Sequence, residues 1–119
     1  MTAVRSCLVT TVLALMLVGC WQRDVGRSYY PSGEIRTEAQ VKNGLLDGNA
    51  TMYFESGAKM SEAHYKAGIL DGKSTSYYES GSKKAQAEYK EGVLHGDSIN
   101  WDVNGTVTSK ASFLLGMPK

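Results

Sequence analysis

The strongest nucleophiles by type on this chain are the thiols of Cys7 and Cys20, and Cys20 closes the run Leu17-Val18-Gly19-Cys20. The two cysteines do not suggest a disulfide. His64 and His95 could do general acid–base work near neutral pH. Each stands where equivalent stretches carry other polar residues: Gln40 and Glu88 for His64, Asp47 and Asp71 for His95. Both therefore read as surface variants. The pairs Ser32-Gly33, Ser56-Gly57 and Ser80-Gly81 lack the preceding glycine of a nucleophile elbow and sit in turns. Asp47 and Asp71 lie 24 residues apart in equivalent turns, too far to share a metal, and a lone Asp is a turn former. No catalytic residue, metal ligand or cofactor is expected. What remains is a set of regularly spaced rings: Tyr53, Tyr77 and Trp101, each 24 residues from the next, are the candidate binding residues.

The rings are positioned by a repeat. Tyr29-Tyr30-Pro31-Ser32-Gly33, Tyr53-Phe54-Glu55-Ser56-Gly57 and Tyr77-Tyr78-Glu79-Ser80-Gly81 are three copies, and Trp101-Asp102-Val103-Asn104-Gly105 is a worn fourth. Gly44, Gly68, Gly92 and Gly116 keep the same period, as do Ala39, Ala63, Ala87 and Ala111. A fixed period of this length marks a repeat architecture whose units bury apolar surface only against neighbours. From Glu34 to Lys42 the residues alternate: Ile35, Thr37, Ala39 and Val41 on one side, charged or amide side chains on the other. Period two argues for a half-buried strand. Ala50–Phe54, Ser74–Tyr78 and Ser98–Trp101 form the second strand of each unit, with Arg27–Tyr30 as the first copy. Adjacent aromatics on a strand point to opposite faces. Tyr29, Tyr53, Tyr77 and Trp101 thus make one ladder, and Tyr30, Phe54 and Tyr78 another.

Two turns join the strands. One is tight, at Pro31-Ser32-Gly33 and its copies; the other is a longer segment, Asn43 to Gly48, with Leu46, Leu70 and Leu94 tucked under the sheet edge. No helical period follows residue 20. The expected fold is all-β: one elongated antiparallel sheet of hairpins over residues 29–119, of seven or eight strands, preceded by a signal helix. Its exposed edges are candidates for pairing into a dimer.

Charge excludes one class of partner. Among 119 residues, 13 Lys and Arg meet 12 Asp and Glu, and only Arg5 of the basic residues lies in the first twenty. A near-neutral chain has no electrostatic reason to bind nucleic acid.

Two resemblances add to this reading. Arg5, the apolar run Leu8 to Val18 and LVGC in that order resemble the signal peptide and lipobox of bacterial lipoproteins. That resemblance implies removal of residues 1–19, a diacylglyceryl group on Cys20, and residues 20–28 as a tether. The apolar run is short for a span of about 30 Å, whereas lipid chains at roughly 0.8 kcal/mol per buried CH₂ anchor a domain firmly. It places the protein at a bacterial cell envelope. Trp21 and Gln22, rather than Asp, favour the outer membrane of a diderm. The alternation of (Tyr/Phe)-x-Ser-Gly with Gly-x-Leu-x-Gly over residues 29–116 resembles the MORN repeat, in the variant common in bacterial proteins and often grouped with toxin–antitoxin system antitoxins. It implies a non-catalytic scaffold or protein-binding module, with an antitoxin-like or immunity role and cell-wall glycan binding as alternatives.

Overall fold

The computed structural model describes residues 23–119, and residues 1–22, with the expected signal helix and Cys20, lie outside that range. Nine strands follow in chain order: β1 (Asp24–Tyr29), β2 (Ile35–Lys42), β3 (Leu45–Tyr53), β4 (Lys59–Lys66), β5 (Ile69–Tyr77), β6 (Lys83–Lys90), β7 (Val93–Trp101), β8 (Val107–Leu114) and β9 (Met117–Pro118). They form one open antiparallel sheet in which each strand pairs only with its neighbours in sequence. No helix interrupts the described residues. The all-β hairpin array expected from the period is thus observed.

Its limits differ from the expectation at both ends. The sheet begins at Asp24, inside the stretch assigned to the tether, because Val25 to Tyr29 can pair along β2 from Gln40 to Ile35. It ends one strand later than expected: Gly116 is followed by β9, which pairs with Phe113 and Leu114.

A single layer buries little. Among the described residues Ala39, 8% exposed, is the buried apolar residue, and no side chain is fully enclosed. The array is held instead by ladder hydrogen bonds and by cross-strand pairs on both faces.

The turns differ in kind. Tyr30 N–H donates to Glu34 O (2.8 Å) and Gly33 N–H to Tyr30 O (2.9 Å), and Phe54, Tyr78 and Asp102 open the same loop. The second link is not the six-residue segment expected. It is a two-residue turn, Asn43-Gly44, with φ of +53° and +79°. Two consecutive positive φ angles match the right-handed twist of the flanking strands. Ala67, Glu91 and Leu115 adopt the same conformation before Gly68, Gly92 and Gly116. Leu45 to Gly48 therefore belong to β3, and Leu46 stands opposite Val41 within the sheet rather than under its edge. Leu70 and Leu94 likewise face Tyr65 and Tyr89.

Two irregularities recur in each unit. The register slips between Ala39 and Val41, and Gly48, at φ +120°, takes up the slack. The side chain at position 40 fills the bulge: Asn49 N–H donates to Gln40 Oε1 at 2.9 Å. His64 Nδ1 lies 3.0 Å from Asp71 O at the corresponding place. The second slip lies beside the rings. Tyr53 pairs with Lys59 but Met52 with Ser61, so Met60 is the extra residue. Such a bulge shifts the alternation by one.

Candidate binding face

Directly opposed residues of antiparallel strands share a face. Tyr53 pairs with Lys59 and Thr51 with Glu62; Tyr77 pairs with Lys83 and Thr75 with Gln86; Trp101 pairs with Val107 and Ile99 with Lys110. Tyr29, Tyr53, Tyr77 and Trp101 therefore stand in one row across the sheet, as the period requires. The bulge corrects one expectation. By simple alternation Ile35 falls with Ala39, and Lys59 and Lys83 with Ala63 and Ala87, but the bulge puts Ile35 opposite Tyr29 and sets Lys59 and Lys83 on the ring face with Glu62 and Gln86. Their contacts agree: Lys59 Nζ donates to Glu62 at 3.0 Å and Lys83 Nζ to Gln86 at 3.3 Å. Lys83 Nζ also lies 5.7 Å from the Trp101 ring centroid, within cation–π range.

The opposite face carries small residues in its middle, such as Ala39 against Ala50 and Ala63 against Ser74. Tyr30 and Tyr78, at the strand ends, reach across to the next unit. Tyr30 O–H donates to Tyr53 O at 2.6 Å and Tyr78 O–H to Trp101 O at 2.9 Å. These rings clamp unit to unit, and Phe54 is the copy without a hydroxyl.

On the ring face the exposure is uneven. Tyr29 is 56% exposed, while Tyr53, Tyr77 and Trp101 are half-buried. Tyr77 is fixed by chemistry as well as packing. Its hydroxyl donates to Glu62 Oε1 at 2.6 Å. This bond, with burial and the charge of Glu62, pushes the Tyr77 phenol up to about 12. The same hydroxyl, then Lys59, holds the Glu62 carboxyl below its usual range. Beside them lies an open hollow of about 480 Å³ lined by Thr75, Tyr77, Glu62, Gln86, Lys73 and Lys83, with Asn49, Thr51 and His64 at one end.

A second set of contacts was missed from sequence. Asp47 and Asp71 are not formers of their own turns. Asp47 Oδ1 accepts from Ala67 N–H and Asp71 Oδ1 from Glu91 N–H, each at 3.0 Å and twenty residues away. Each carboxylate thus caps the turn of the next unit. Asp47 is held below its usual pKa by that N–H first and by Arg23 second. His95 serves the last unit in the same way, its Nδ1 accepting from Leu115 N–H at 3.3 Å. The signal was in the sequence: a polar residue two after each Gly-x pair, preserved in phase.

Among the described residues no group of three or more His, Cys, Asp or Glu could hold a metal. No helix there is long and apolar enough to cross a membrane.

A family model described as MORN repeat variant matches residues 25–43, 46–67 and 70–91, more than half of the chain. The chain belongs to the MORN repeat variant family. No curated protein and no solved structure matches it. The three matched MORN units are those with two adjacent rings, and the fourth, where Asp102 replaces the second ring, lies beyond them. Asp102 closes its own loop instead, accepting from Asn104 N–H (2.9 Å) and Thr106 N–H (3.0 Å). MORN units are generally non-catalytic modules that bind proteins or membranes, and an open sheet with two accessible faces fits that use.

Proposed function

We propose that this protein is a non-catalytic protein-binding module of the bacterial cell envelope, tethered by lipid at Cys20, whose partner docks on the face of Tyr53, Tyr77 and Trp101. One observation carries the reading. The ring face offers a row of half-buried aromatic side chains in a fixed array, bordered by lysines and an ion-paired carboxylate. Such rings give large contact area at little cost in side-chain entropy, since the sheet and the Tyr77–Glu62 bond already hold them. The opposite face also carries half-buried rings, Tyr65, Tyr89 and Phe113, at one end of its alanine and serine rows; the ring face is preferred because an ion-paired carboxylate and an open hollow adjoin its rings.

The test uses the full chain expressed in a bacterial envelope. Trp101→Ala and Tyr53→Ala should abolish capture of the native partner while circular dichroism stays that of the parent. Retained capture would make the ladder structural only, and binding of purified cell-wall sacculi in place of a protein would overturn the partner class. Cys20→Ser should move the protein from the membrane to the soluble fraction; a variant still in the membrane would refute the anchor.

A further inference from the structure

We infer that the hollow over Thr75 is the seat of a carboxylate, supplied by an acidic side chain of the protein that docks on the ring face; this rests on that face being the docking surface. Two independent observations meet here. The first is Thr75, which is only 7% exposed and whose hydroxyl has no hydrogen-bond partner among the described residues. A buried hydroxyl left unmatched costs stability. Thr75 lies on the ring face, opposite Glu62 on one side and Gln86 on the other, and lines the hollow. An acceptor from outside would complete it.

The second observation is charge. The one carboxylate lining the hollow, Glu62, is already engaged by Lys59 at 3.0 Å and by the Tyr77 hydroxyl at 2.6 Å. Neither of the two lysines lining it forms an ion pair among the described residues. Lys83 meets the neutral amide oxygen of Gln86 and the Trp101 ring. Lys73 stands opposite Glu88 but forms no ion pair with it among the described residues. Two cations and an idle hydroxyl around about 480 Å³ complement an anion with several acceptor lone pairs. A carboxylate on a partner's side chain would place its oxygens between Lys73, Lys83 and Thr75 while the partner's apolar surface lies along the rings.

The experiment uses the full chain with Cys20→Ser for solubility and Trp21→Phe so that Trp101 is the one tryptophan, and follows its fluorescence at low salt. The probes are a ten-residue glutamate peptide, the matching glutamine peptide, and inorganic phosphate. The glutamate peptide should bind and the other two should not. Lys73→Gln and Lys83→Gln should each weaken it about three-fold, the size of one exposed ion pair. Lys90→Gln, at the exposed end of β6, should leave it unchanged. Thr75→Val should weaken the peptide about three-fold without lowering the thermal midpoint, because the removed hydroxyl had no partner in the fold. Equal binding of both peptides, phosphate binding as tightly as glutamate, or a destabilised Thr75→Val would each overturn the inference. If the native partner is still captured in a Trp101-dependent way by the Lys73→Gln, Lys83→Gln double variant, the inference fails and the ring-face reading survives. If Trp101→Ala captures as well as the parent, that reading fails first.

Discussion

Phe54→Tyr should stabilise this protein. Tyr30 and Tyr78 each donate a hydroxyl hydrogen bond to the first ring residue of the next unit, Tyr53 O at 2.6 Å and Trp101 O at 2.9 Å. By the 24-residue period, a hydroxyl at position 54 would donate to Tyr77 O. Phe54 N–H already bonds Ala58 O at 2.8 Å, as Tyr30 N–H bonds Glu34 O, so the local backbone is the same. One such bond contributes about 1 kcal/mol net. For a domain near this size that raises Tm by about 5 °C. Tyr78→Phe should lower it by about the same amount, and the two together should cancel because the sites are a full unit apart. Thermal melts of the three variants decide it. If Tyr78→Phe costs about 1 kcal/mol and Phe54→Tyr gains nothing, the units are not equivalent at the atomic level and the clamp is not a property of the repeat.

Other consequences follow from particular contacts. Among seven tyrosines, one should ionise near pH 12 in a phenolate absorbance titration and move down in Glu62→Gln, since the Glu62 bond is the first cause of the shift. Tyr77 is raised, so its contribution to stability holds below its ordinary 10.0 and is lost as pH climbs toward 12; Glu62 is lowered, so its contribution holds above the ordinary carboxylate range and is lost as pH falls. Stability measured in urea should therefore decline at both extremes, and less so in Tyr77→Phe. Gly72→Ala should cost about 1–3 kcal/mol, because φ is +122° and the new Cβ would stand 3.3 Å from His64 Cβ; Gly26→Ala, with its nearest contact at 3.7 Å, should be close to neutral. A head-to-tail neighbour laying its β1 on β8 in the register of the array would set Lys110 against Arg27, like charges directly opposed. The Cys20→Ser chain should sediment as a monomer, and Lys110→Glu should shift it toward concentration-dependent oligomers; identical sedimentation of the two would remove charge as the guard of that edge.

Much of the fold was legible because the repeat multiplies weak signals. One Tyr-Tyr pair says little, but three in phase with Gly44, Gly68 and Gly92 fix the strands, the faces and the sequential order. What escaped was local backbone geometry. The bulge at Met60 moves Lys59 to the ring face, and simple alternation could not see it because the extra residue is spelled like any other. The Leu45–Gly48 stretch looked like loop since its glycines bracket it; Gly48 is in fact the bulge that Gln40 fills. Asp47 and Asp71 looked like turn formers because their partners lie twenty residues away in the next unit. The ring row itself was found at once, whereas the hollow beside it was not. Thr75 becomes notable only when its neighbours Glu62 and Gln86 are seen to lean on other groups.

The most direct measurement is photo-crosslinking in the living envelope, face against face. A photoreactive residue at Thr51 or Ile99 lies on the ring face, and one at Met52 or Asn100 lies on the reverse, a single residue away. The account predicts a discrete protein adduct from positions 51 and 99, absent from 52 and 100. The same adduct from both faces, or none from the ring face, would contradict it.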